Sequence, residues 1–81
     1  MKDIGQVAGE LWQILGIRGE VDLNQVPRVL RYKGEIAYQG LGWLAREGKV
    51  NYVSRGQKTF VALTDIERNA FKEGIVPKKQ S

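Results

Sequence analysis

The side chains best suited to recognising another molecule are Gln39 and Arg46, an amide and a guanidinium on one face of an amphipathic stretch. Each can make paired hydrogen bonds, glutamine to the edge of adenine and arginine to guanine or to a phosphate. Arg31 and Lys33 lie just before that stretch, and Arg55 and Lys58 bracket Gly56-Gln57 further on. Cations so placed suit a rim that contacts phosphates, where counterion release supplies much of the affinity for duplex DNA. Tyr38 sits among them. With Tyr32 and Tyr52 it offers rings able to stack on bases, although a half-buried place in the core is the commoner fate of tyrosine. Glu35 and Glu47 oppose a phosphate, so the face is mixed rather than strongly basic. The plain alternative is a solvated polar surface, which charged residues usually make.

Catalysis has little to work with. The chain contains neither cysteine nor histidine, which removes thiolate ligands, disulfides, the commonest general base and the commonest zinc ligand. Ser54 and Ser81 have no base spaced to activate them. Asp3, Asp22 and Asp65 read as helix caps or first-turn acids. No glycine-rich phosphate loop occurs. The expectation is a protein that is no enzyme and carries no cofactor, no metal and no small-molecule substrate.

The 81 residues make one domain, with 42% hydrophobic and 27% charged residues, the balance of an ordinary globular protein. The net charge of +4 mildly favours a nucleic-acid partner. Part of that excess sits in Pro77-Lys78-Lys79-Gln80-Ser81, expected to be a disordered basic tail, with the domain at 1–76. No apolar run approaches the roughly 18 residues of a membrane span, and no signal peptide is visible, so a cytoplasmic location is expected.

These side chains need elements to position them. From Ile4 to Leu15 the apolar residues follow one helical face, with Asp3 as cap and Gly16 as stop. Gly5 and Gly9 leave a flank bare for another element. Glu20-Val21-Asp22 reads as a short strand, and Asp22 then caps a helix over Leu23–Leu30 that tolerates Pro27 in its first turn. A turn at 31–34, with Gly34 supplying a positive φ, leads to a third helix over Glu35–Glu47, stopped by Gly48. Ala37, Leu41 and Leu44 face inward there. Gly40 and Gly42 each cost about 1 kcal/mol relative to alanine, so something should approach the backbone beside them. With Trp43 they form a candidate interface, because tryptophan anchors contacts. A homodimer through the first or third helix follows from that reading. Its counterpart has Trp43 capping the core.

The period then changes from 3.6 to 2. Val50–Ser54 and Thr59–Leu63 read as strands joined by Arg55-Gly56-Gln57-Lys58. Thr64 and Glu67 form a capping box that opens a last helix over Asp65–Glu73, with Ile66, Ala70 and Phe71 inward. The abrupt passage from Leu41 and Leu44 through Gly48 to a strand at Val50 marks a helix-turn-helix followed by a β-hairpin. Ala8 to Trp12 and Leu41 to Val50 resemble the signatures of a small prokaryotic family of uncharacterised winged helix-turn-helix domains, over Ile4 to Leu63. The resemblance implies an α+β fold with a three-helix core, a wing of two or three strands and a C-terminal helix. Gly40 stands where that family often has alanine. Two functions fit: a winged-helix protein contacting duplex DNA through the third helix and wing, as a transcriptional regulator or nucleoid-associated module, or a winged helix that contacts protein instead.

Overall fold

The computed structural model describes residues 3–74. The tail expected at 77–81 and the domain end expected at residue 76 lie outside the described residues. The chain forms α1 (Ile4–Arg18), β1 (Glu20–Asp22), a 3₁₀ turn (Leu23–Gln25), α2 (Val26–Leu30), α3 (Gly34–Arg46), β2 (Val50–Arg55), β3 (Lys58–Leu63) and α4 (Asp65–Lys72). The sheet is antiparallel in the order β1-β3-β2. This is the α+β arrangement of a helix-turn-helix followed by a hairpin, with β1 completing a three-stranded wing.

The core is built where the helical stripes meet. Val7, Leu11 and Leu15 of α1, Ala37, Leu41 and Leu44 of α3, and Val21, Val61 and Leu63 of the sheet are all buried in one cluster. Each large aliphatic side chain so buried contributes about 1.5–3 kcal/mol. The glycine at 40 permits α3 to approach α1 closely. A Cβ there would lie 2.6 Å from Val7 Cγ1 and 3.3 Å from the Ala8 backbone nitrogen. Gly42 has no such neighbour, with nothing within 4 Å. The flank at Gly5 and Gly9 is also uncovered: Gly9 meets nothing within 4 Å and Gly5 only its own neighbour Asp3.

Several boundaries differ from the sequence expectation, each for a tertiary reason. Helix α1 continues through Gly16 and stops at Gly19, whose φ is 90° and whose amide donates to the Leu15 carbonyl. Gly16 instead accommodates α4, since a Cβ there would come within 2.3 Å of the Phe71 ring. Asp3 occupies the N-cap position without a side-chain bond, and its backbone carbonyl accepts from Gln6 and Val7 instead. Asp22 does cap, accepting from the Asn24 amide at 2.9 Å, but it opens the 3₁₀ turn and the α-helix begins only at Val26. The left-handed residue after α2 is Arg31, with φ 64°, while Gly34 is already the first residue of α3.

The last helix holds the largest departures. Thr64 Oγ1 accepts from the Glu67 amide at 3.3 Å, which is one half of the expected capping box. The other half is missing because Glu67 Oε1 accepts from Trp12 Nε1 at 2.7 Å, and the Thr64 amide donates to the Lys49 carbonyl. Ile66 is 78% exposed rather than inward. Ala70 and Phe71 do pack on the core, Phe71 meeting Trp12 edge-on at 5.6 Å between centroids.

Candidate nucleic-acid interface

With Ala37, Leu41 and Leu44 turned inward, Glu35, Gln39, Gly42 and Arg46 follow i, i+4, i+7 and i+11 along the opposite side of α3. All four are exposed. None of their side chains bonds another described residue. Gly42 in the middle of the line leaves a gap between Gln39 and Arg46, so an incoming surface meets backbone there. Tyr38 lies on one flank, where its hydroxyl donates to the Leu23 carbonyl at 2.9 Å and fixes the ring beside the 3₁₀ turn. Trp43 lies on the other flank and is 45% exposed. It borders a small groove of about 170 Å³ whose walls include Gly5, Ala8, Gly9 and Trp12 of α1. The tryptophan is thus neither a core cap nor a free side chain. Tyr32 is taken up by Glu10, to which its hydroxyl donates at 2.9 Å, and Tyr52 stands half exposed on β2.

Arg31 and Lys33, just before α3, are exposed and without an ion pair among the described residues. The wing cations are placed differently. The pairing of Val53 with Phe60 and of Arg55 with Lys58 puts these residues on the sheet face away from the core, together with Glu20 and Asp22 of β1. Arg55 crosses the Phe60 ring, its Cζ 4.5 Å from the centroid, and pairs with Glu20. Lys58 lies 3.8 Å from Asp22. Local sequence carried no sign of this, because it depends on β1 lying next to β3. The cations of both pairs are exposed and the carboxylates only partly so, and surface pairs contribute only about 0–1 kcal/mol, so a phosphate can compete for either cation. The turn between them is a two-residue loop with Gly56 at positive φ (62°), which suits glycine in the first central position of a tight hairpin.

Sequence reasoning gave no role to Arg18 and Arg28. Both are exposed, and with Arg31 they line a cleft of about 510 Å³ between the last turn of α1, β1 and α2. Among the described residues no three His, Cys, Asp or Glu side chains gather as a metal site, and no helix is long and apolar enough to cross a membrane.

Residues 1–63 match the family model described as a winged helix-turn-helix domain (DUF2582). The chain belongs to this winged helix-turn-helix family. An uncharacterised protein of Methanocaldococcus jannaschii is similar at 38% identity over 61 residues, covering 72% of this chain and 84% of its own. No solved structure matches. The winged-helix match ends at Leu63, so α4, docked on Trp12 and Gly16, lies beyond the family segment.

Proposed function

We propose that this winged helix binds duplex DNA, laying the outward line of α3 in the major groove with the wing over the adjoining phosphates, in the manner of a transcriptional regulator or nucleoid-associated module. The observation that carries the reading is the line Glu35, Gln39, Gly42 and Arg46: exposed, without partners among the described residues, and bare in the middle. Gln39 and Arg46 supply the two side chains with the best geometry for base edges. Arg31 and Lys33 at the start of α3, and Arg55 and Lys58 on the wing, supply phosphate contacts that set the register.

A salt-dependent titration of labelled duplexes tests it. Reversing Arg55 and Lys58 to glutamate weakens binding to every duplex and flattens the slope of log affinity against log salt by about one to two units. Gln39→Ala or Arg46→Ala costs about 1–3 kcal/mol on a preferred site and little elsewhere. Duplex binding by the folded wild type weaker than about millimolar at roughly 50 mM salt overturns the reading.

A second reading, contact with a protein partner such as another copy of this chain, is favoured by the exposed Trp43 beside the uncovered Gly5 and Gly9. Under it, Trp43→Ala abolishes association while the wing reversals leave it intact, with a melting curve recorded to show that the variant folds.

A further inference from the structure

We propose that the cleft between the last turn of α1, β1 and α2 is a binding site for a phosphate-bearing anion, held by Arg18, Arg28 and Arg31. The cleft is about 510 Å³, within the range of small-ligand sites. Its three cations are all arginine, the side chain whose planar fork matches phosphate oxygens in pairs. None has an acidic partner among the described residues. The two acidic residues in the wall already have partners: Glu20 pairs with Arg55, and Asp22 with Lys58 and the Asn24 amide. The three arginines outnumber the two wall carboxylates, so the cleft keeps a net positive charge, and Val21 and Val29 add a small apolar part to a mainly polar lining.

Arg31 supplies an independent observation. It closes α2 in the left-handed conformation (φ 64°), its amide donating to the Pro27 carbonyl at 2.8 Å and to that of Arg28 at 3.3 Å, and the Tyr32 amide also to that of Pro27. That position favours glycine, or asparagine next. A long side chain held there against backbone preference is the kind of local strain that collects at ligand sites. The plainer role of cations at helix C-termini, complementing the dipole, covers Arg18 in the last turn of α1 and Arg28 in that of α2. It leaves unexplained why Arg31 is not glycine.

Isothermal titration of the full chain with sodium pyrophosphate at low salt tests the site. The wild type should show one saturable binding event. Arg28→Gln and Arg31→Gly should each weaken it roughly tenfold or more. Arg31→Gly should melt no lower than the wild type, since glycine adopts the left-handed region freely. A folded variant with lost binding separates a ligand role from a structural one. Duplex DNA titrated into the pyrophosphate-loaded protein separates the two sources of phosphate. Displacement assigns the cleft to the DNA backbone, and simultaneous binding assigns it to a free phosphorylated ligand. Absence of saturable binding, or an affinity unmoved by both substitutions, overturns the proposal. That failure leaves the α3 reading untouched, because Gln39 and Arg46 are assayed separately.

Discussion

The seam between α1 and α3 and the outer face of the wing are held together by opposite means. At the seam, aliphatic side chains are buried to within a few per cent of complete exclusion, and Gly40 lets two helix backbones close on Val7 and Ala8. On the wing, the residues away from the core are joined by two solvent-facing ion pairs and a guanidinium over a half-buried ring. The first depends on shape and tolerates almost no change of volume. The second depends on charge and can be exchanged for another partner at little cost. Under the DNA-binding reading proposed above, the first would keep the helix fixed and the second would leave the hairpin adaptable.

The sharpest way to break this contrast is Leu44→Ala. It should cost about 2–5 kcal/mol, a large part of the stability of a domain of this size, read as a fall in the denaturant midpoint. An unchanged midpoint would remove the seam from its central place. The glycine pair in α3 sharpens the contrast. Gly40→Ala should destabilise by about 1–3 kcal/mol, because its methyl group meets Val7 and the Ala8 backbone and overpacking outweighs helix propensity. Gly42→Ala, two residues on, should stabilise by up to about 1 kcal/mol, because it gains propensity and meets nothing. Thermal melts of the two variants moving in the same direction would show that the seam is looser than its distances imply. The smallest effect belongs to the wing. Arg55→Ala should change stability by no more than about 1 kcal/mol. Amides at Gly56 and Gln57 should exchange far faster than that of Leu44, and equal protection would end the distinction between the regions.

Much of this was legible in the residues themselves. The phase of Leu11, Leu41, Leu44 and Leu63 placed all four in the core, and the switch at Gly48 gave the hairpin, although the pattern puts its turn over the four residues 55–58 and the strands run on to Arg55 and Lys58. The exposed line through Gln39 and Arg46 followed from the same phase. What local pattern did not carry was contact between distant segments. Gly16 looked like a stop because glycine usually is one, yet here it answers to Phe71, 55 residues away in sequence. Glu67 looked like half of a capping box, and Trp12 takes its carboxylate instead. Ile66 looked inward by type, although α4 has only one narrow side on the core. The wing cations looked free because nothing near them in sequence predicts that β1 will bring Glu20 and Asp22 alongside.

The two tryptophans are divided between the two surroundings in a way that has an experimental use. Trp12 is enclosed, its indole N–H bound to Glu67 and its ring edge-on to Phe71, whereas Trp43 stands open to water beside the outward line of α3. Their fluorescence therefore forms two separate optical channels. The buried indole reports whether α4 is seated on α1, and the open one reports what arrives at α3. Single Trp→Phe variants would isolate each signal, so that docking of the last helix and capture of a partner can be followed on the same molecule without an added label.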